Sequence, residues 1–184
     1  MDSNKILLTK NDVLNTYRSR EHGEKALSKY TNWFPLIASS ELAGIVADLM
    51  GDGHLQGKEK YRMDFTSNSI TELERFNNMI YKLFKVKGKI RACTTNKYGT
   101  MNLGVNNKPL GRTLKLIGVP AGNKVLSCFQ IPNWILKNKL FFSYFINRLI
   151  CCEGNVDLFS KCIELRMHKS LDKIDDGIEF FWRY

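Results

Sequence analysis

The chain has 184 residues, of which 43% are hydrophobic and 25% charged, a balance typical of a globular protein. No apolar run approaches the roughly 18 residues that a membrane-spanning helix needs, so no membrane association is expected. The formal net charge is +10, and residues 53–131 hold the whole excess, with 14 Lys and Arg against 4 Asp and Glu. Such concentrated positive charge favours a polyanionic partner, and a solvated basic face without a partner is the alternative.

The cysteines and histidines point to no structural metal. The five cysteines form no Cys-x-x-Cys pair, and the three histidines do not complete a zinc spacing. We therefore expect free thiols in a reducing compartment, either the cytoplasm or an organellar matrix.

The first half of the chain begins with a predicted helical extension over residues 1–38, followed by a buried helix over residues 40–51. In this helix Gly44, Ala47 and Gly51 lie three and four positions apart on one face, which lets a second helix approach closely. The next residues are Asp52 and Gly53, and a glycine at this point suits a left-handed helix end.

Alternating patterns follow this helix. Residues 61–66 alternate apolar and polar side chains and predict a strand. Ser69 and Glu72 have the spacing of a capping box and begin an amphipathic helix that ends near Phe84. Basic residues then alternate along an extended stretch and project from one face: Lys85, Lys87, Lys89 and Arg91.

The first half closes with a hairpin turn at residues 96–99, a returning strand over residues 101–106, and a short helix from Pro109 to Gly118.

The same order of elements is predicted a second time. A second apolar helix runs from about Asn138 to Cys152 and is followed by Glu153-Gly154, a strand near residues 163–167 and a helix beginning at Ser170. Asp52 and Glu153 are 101 positions apart, and so are the glycines that follow them. The sequence identity between the halves is slight, so the repeat is one of pattern.

Each predicted buried helix ends in a carboxylate. If the two helices pack side by side, their carboxylates repel each other and are costly to desolvate. A divalent cation between them removes that cost, and oxygen-only ligands suit Mg²⁺. Such an ion supports phosphodiester hydrolysis. A plain helix stop is the alternative for either carboxylate alone.

Two stretches of the chain form a pair of related motifs. Residues 41–55 read Glu-Leu-Ala-Gly-Ile-Val-Ala-Asp-Leu-Met-Gly-Asp-Gly-His-Leu, and residues 145–156 read Phe-Ile-Asn-Arg-Leu-Ile-Cys-Cys-Glu-Gly-Asn-Val. Both stretches resemble the motifs of the LAGLIDADG homing endonuclease family. The resemblance covers about residues 40–184. It implies an α+β fold of two αββαββα units related by a pseudo-twofold axis. The motif helices then pack at the centre and the sheets lie in the major groove of double-stranded DNA.

The resemblance divides the chain into a first unit over residues 39–120, a linker over residues 121–137 and a second unit over residues 138–184. By analogy the second unit is incomplete, lacking its later strands and last helix. The internal repeat implies a monomer, or another chain completes the second unit. Otherwise the exposed edge strand would be prone to pair with other chains and aggregate.

The resemblance also implies site residues. Asp52 and Glu153 are the expected metal ligands and catalytic residues, assisted by the backbone carbonyls of Gly51 and Cys152, with Mg²⁺ or another divalent cation. Lys97 is the candidate basic residue near the scissile phosphates. The expected DNA contacts are the polar residues of the strands: Lys60, Arg62, Asp64, Lys89, Arg91, Asn102 and Asn106.

Two residues raise alternatives. Arg148 stands where the first motif has the small Ala47, so the close helix crossing requires Arg148 to tilt outward or pair with Asp48. His54, beside Asp52, is interpreted as a surface-loop histidine rather than a general base.

The predicted function is site-specific, metal-dependent cleavage of double-stranded DNA, as in mobile-intron endonucleases. The alternative is a cleavage-inactive derivative that binds DNA or intron RNA, such as a maturase or regulator.

Overall fold

The computed structural model of the protein describes residues 5–57, 60–93, 99–124, 129–157 and 162–165, and of residues 155–157 and 162–165 only the backbone. The α-helices are α1 (Lys10–Leu14), α2 (Arg20–Leu27), α3 (Ser40–Met50), α4 (Ile70–Phe84), α5 (Lys108–Leu116), α6 (Asn133–Leu136) and α7 (Lys139–Glu153). The strands are β1 (Ile6–Leu8), β2 (Leu36–Ile37), β3 (Gly53–Leu55), β4 (Met63–Ser67), β5 (Lys89–Ala92), β6 (Met101–Val105), β7 (Gly154–Asp157) and β8 (Cys162–Leu165). A 3₁₀-helix spans Ser28–Trp33.

Helix α3 forms the centre of the hydrophobic core. It begins where the Ser39 hydroxyl accepts a hydrogen bond from the Leu42 amide at 3.1 Å. Every residue from Leu42 to Met50 is buried. A helix that is apolar on all sides is stable only when surrounded by other elements, which agrees with the prediction of a buried helix here.

The elements from α3 to α5 follow the order αββαββα that was expected of the first unit. Their four strands form one antiparallel sheet in the order β3-β4-β6-β5. Met63, Phe65 and Leu103 face the core, where the Phe65 ring stacks on Phe76 of α4 with the centroids 4.6 Å apart. The opposite face of the sheet is therefore free to carry the alternating polar side chains.

Helix α7 packs along α3 and buries Phe141, Phe142, Phe145 and Leu149. The Asn138 side chain caps its first turn, as the predicted helix start requires. The antiparallel pair β7–β8 follows directly. Each motif helix is thus followed by two strands: α3 by β3 and β4, and α7 by β7 and β8. The rest of the predicted second repeat lies outside the described residues.

The capping box at Ser69 is not formed. Ser69 is the N-cap of α4, but its side chain accepts no hydrogen bond there. Glu72, which would have to reach back to it, accepts hydrogen bonds from Arg75 and Arg148 instead. A tertiary ion pair has therefore replaced the predicted local interaction.

Two backbone expectations also differ from the structure. Gly53 is not left-handed, since it begins β3; a Cβ at this position would lie 2.6 Å from the Leu49 Cα, so it is close packing that favours glycine. Lys85 is not extended but ends α4 in the left-handed conformation with φ of 54°. Lys85 therefore does not share the face of the basic residues that follow it.

The N-terminal region contains two strands in addition to the expected helices. Strand β1 pairs antiparallel with β2, which carries the chain to the start of α3. Strands of two and three residues contain too little alternation to be recognised in a sequence. No helix in the described part of the chain is both long and apolar enough to cross a membrane.

Candidate metal centre and basic sheet surface

The C-terminal ends of α3 and α7 meet at close range. A Cβ on Gly51 would lie 2.6 Å from the Cys152 Cβ, and a Cβ on Gly44 would lie 2.9 Å from the Tyr144 ring. The Gly51 separation is too short for a Cβ, and a Cβ at Gly44 would require the Tyr144 ring to shift. The small face of α3 therefore receives α7 as the glycine spacing predicts.

The crossing brings Asp52 and Glu153 together at the helix ends. Asp52 is exposed and Glu153 is partly buried. Desolvation of the carboxyl and the negative charge of Glu153 raise the pKa of Asp52 to about 6. Charge repulsion between two carboxyls is the condition under which a cation binds favourably.

Cys152 lies next to the two acidic residues near the C-terminal end of α3, Asp48 and Asp52. Its thiol donates a hydrogen bond to Asp48 Oδ1 at 3.8 Å, and the thiol also senses the charge of Asp52. Burial and the Asp48 charge raise the pKa of this thiol to about 12. The metal-free protein therefore holds this thiol protonated at neutral pH, and a protonated thiol is a poor nucleophile.

Lys124 completes this site, although the sequence analysis assigned it to a linker. Its ammonium group donates to the carbonyls of Met50, Gly51 and Gly53 at 2.9, 2.5 and 2.6 Å. Burial lowers the pKa of Lys124, while the charges of Glu153 and Asp52 act in the opposite direction. No local pattern marks this lysine. The predicted basic residue, Lys97, lies outside the described residues.

The donors at the helix ends fit a hard divalent cation. Asp52 and Glu153 offer carboxylate oxygens, and Gly51 and Cys152 have backbone carbonyls at the same helix ends. Magnesium is commonly held by one or two carboxylates together with water and phosphate oxygens. In the part of the chain that the structure describes, no group of three His, Cys, Asp or Glu side chains is arranged to hold a metal ion, so water and phosphate oxygens would complete the coordination.

A buried ion-pair network lies one turn before the carboxylates. Asp48 is fully buried and accepts hydrogen bonds from Arg75 at 3.0 Å and from Arg148 at 3.2 Å. Glu72 joins both arginines from the other side, at 2.9 and 2.6 Å. Arg148 thus turns towards Asp48 rather than tilting outward, and the helices cross closely.

The outer face of the four-stranded sheet forms a polar groove of about 370 Å³. The groove is lined by Arg62, Lys87, Lys89, Arg91, Asn102, Gly104 and Asn106. Five of the seven predicted DNA contacts lie here. Asp64 lies beside them, where its carboxylate accepts two hydrogen bonds from Arg62. Lys87 also lines the groove, although it was not among the predicted contacts.

A second basic cavity, of about 940 Å³, lies next to the helix ends. It is lined by His54, Gln56, Gly57, Lys60, Lys115, Ala121, Gly122, Asn123 and Lys124. Lys60 therefore lies here and not in the sheet groove. His54 belongs to β3 rather than to a surface loop, because it pairs with Asp64 of β4.

Comparisons with known proteins give one sequence match and several structural matches. No family model matches the chain. The replication factor C small subunit of Methanocaldococcus jannaschii is 29% identical over 170 residues, which are 83% of this chain and 9% of that protein. The chain therefore spans less than a tenth of the length of this curated relative.

The solved structures that the chain resembles include forms of the homing endonuclease I-DmoI. A mesophilic variant has a TM-score of 0.46 and 21% identity, covering 63% of this chain and 62% of that one. A variant bound to its nicked target DNA with manganese has a TM-score of 0.48 and 20% identity, covering 78% and 74%. A further DNA and manganese complex has a TM-score of 0.48 and 19% identity, covering 78% and 72%.

Proposed function

We propose that the chain is a metal-dependent, site-specific double-strand DNA endonuclease of the LAGLIDADG homing type. One observation carries the proposal: Asp52 just after the buried helix α3 and Glu153 at the end of α7, which is buried on one face only, lie together at a tight helix crossing. A sheet with a basic groove on its outer face follows the first of these helices.

The two carboxylates supply the chemistry of the site. Asp52 and Glu153 would hold a divalent cation together with the carbonyl oxygens of Gly51 and Cys152. When bound, such a cation lowers the pKa of a water molecule and offsets the charge that develops on the phosphate. At this site water would attack phosphorus and the bond to the leaving sugar oxygen would break, giving a phosphate monoester and an alcohol. The protonated Cys152 thiol supports a mechanism without a covalent enzyme intermediate.

The outer sheet face would supply sequence recognition. Antiparallel strands present alternate side chains, so Arg91 and Asn102, which are paired across β5 and β6, project from the same face. Arginine can bind guanine through two hydrogen bonds and asparagine can bind adenine, and both edges are accessible in the major groove. Lys87 and Lys89 beside them suit phosphate contacts.

The organisation of the whole protein follows from this proposal. The first unit over residues 39–120 would contact one half of the target and the unit beginning at residue 138 the other half. The linker over residues 121–137 then joins them in a single chain that acts as a monomer on double-stranded DNA, with Mg²⁺ as the cation.

A plasmid cleavage assay tests the function. The full chain with Mg²⁺ is incubated with plasmids that carry the flanks of its own gene. We expect linear product that disappears with a chelator and in Asp52→Asn and Glu153→Gln. The control Glu74→Gln changes an exposed carboxylate of α4 and should cut normally.

Two outcomes would contradict the proposal. Salt-sensitive DNA or RNA binding without linear product would support the cleavage-inactive alternative. Cleavage that persists in both variants would remove these carboxylates from the mechanism.

A further inference from the structure

The Lys124 ammonium group fills a site built from backbone carbonyls. Its three N–H donors match the three short contacts to the oxygens of Met50, Gly51 and Gly53. The last carbonyls of a helix carry partial negative charge, and the carboxylates of Asp52 and Glu153 add to it. This end of α3 is therefore a cation site that a side chain of the same protein occupies.

The backbone holds Lys124 in reach of that site. The segment before it is attached to the end of β3, where the Gly122 amide donates to the Leu55 carbonyl at 2.8 Å and Ala121 forms a parallel bridge with Leu55. Lys124 follows these anchored residues by two positions and is itself partly exposed. The ammonium can move without displacement of a strand or helix.

We propose that Lys124 is an internal cation that occupies the Gly51 carbonyl in the metal-free protein and leaves it when a divalent metal binds at Asp52 and Glu153. This inference rests on the metal site of the proposed function. The Gly51 oxygen lies 2.5 Å from the ammonium, and a metal on the same oxygen would lie about 2.1 Å away. The two cations would then be at most about 4.6 Å apart, and their repulsion makes the two occupancies competitive.

The basic cavity beside the helix ends gives the displaced side chain a place to go. Lys124 already lines it, with Lys60 and Lys115 on the other walls. A phosphate of a bound nucleic acid in this cavity would attract the released ammonium. Metal and DNA would then favour the same released position of Lys124.

Metal affinity in two matched variants tests the competition. Lys124→Met removes the internal cation, and Lys115→Met removes the same charge from the same cavity without touching the carbonyls. With Mn²⁺ titrated into the full chain, we expect Lys124→Met to bind about fivefold tighter or more, which is the lower range of coupling between sites. Lys115→Met should change the affinity much less. Equal gains in both variants, or weaker binding in Lys124→Met, would overturn the proposal.

A measurement on the unmodified protein covers the case in which Lys124→Met fails to fold. Lysine acetylation with an amine-reactive reagent is followed by mass spectrometry, with and without Mg²⁺. We expect the reactivity of Lys124 to rise several-fold with Mg²⁺, while that of the exposed Lys115 is unchanged. Unchanged Lys124 reactivity at saturating Mg²⁺, or the absence of metal binding, would refute the competition.

The two proposals fail separately. Plasmid cleavage with no rise in Lys124 reactivity leaves the endonuclease function intact and refutes only the competition. A metal-dependent rise in reactivity without any cleavage supports the competition and refutes the endonuclease function.

Discussion

Arg148 Nε on α7 lies 3.2 Å from Asp48 Oδ1 on α3, and the two residues are 100 positions apart in the chain. Asp48 is fully buried, so this ion pair forms inside the helix crossing. Burying a charge is costly unless it is paired and hydrogen-bonded, and Arg75 supplies the second partner. The network therefore sets how α7 sits on α3, and with it the position of Glu153 relative to Asp52.

Removing one partner should reveal how much the network contributes. Arg148→Met leaves Asp48 with a single arginine in an apolar interior, and we expect the free energy of unfolding to fall by about 3 kcal/mol in chemical denaturation. Lys82→Met breaks an exposed pair with Glu41 and is the matched control, expected to change little. The double variant Arg148→Met, Asp48→Asn should lose less unfolding free energy than the two single variants lose together. Strict additivity would show that the pair is not coupled.

The carboxylate pair should make metal-free stability depend on pH. The pKa of Asp52 is about 6 in the folded protein, against 3.8 for an aspartate without such surroundings, as in the unfolded chain. Protonation of Asp52 therefore favours the folded state. This contribution is present below about pH 3.8 and is lost as the pH rises through about 6. With a chelator present, Asp52→Asn should therefore melt at a higher temperature than the unmodified protein at pH 8, and the difference should shrink towards pH 4. A difference independent of pH would refute the raised pKa of Asp52, to which desolvation and the charge of Glu153 both contribute.

The basic groove should dominate the salt dependence of DNA binding. Lys87→Ala combined with Lys89→Ala removes two cations from the groove, so we expect weaker binding to double-stranded DNA. The logarithm of the DNA-binding constant decreases linearly with the logarithm of the salt concentration. The magnitude of this slope should become smaller by about 1.8, or about 0.9 for each lost phosphate contact. The control combines Lys25→Ala and Lys29→Ala, which remove two exposed cations of the N-terminal region. Equal slopes in both double variants would mean that net charge alone drives binding.

The helix crossing should not tolerate a methyl group at Gly51. In Gly51→Ala the new Cβ would lie 2.6 Å from the Cys152 Cβ, so the helix ends must separate. We expect a loss of about 2 kcal/mol in unfolding free energy. Gly57→Ala is the control, because its nearest neighbour would be the Gly122 nitrogen at an ordinary 3.5 Å. Equal stability of the two variants would place the crossing further apart than described.

The elements around the first motif were predictable because local patterns specify them. The apolar run of α3 and the small face formed by Gly44 and Gly51 require a buried helix with a close neighbour. The alternation at Met63 and Phe65 specifies which face of β4 is buried. The prediction of a capping box at Ser69 was wrong because the Glu72 carboxylate accepts a hydrogen bond from Arg148 on a distant helix. No local pattern reveals that partner.

The sequence by itself determined the central helix, the alternation of the sheet and the two acidic helix ends, since these depend on the periodicity of neighbouring residues. Only the tertiary structure decided that Lys124 occupies the carbonyls of α3, more than 70 positions earlier, and that Arg148 pairs with Asp48. Such contacts depend on the path of the chain and on which buried charges need a partner. Spacing along the sequence does not contain that information.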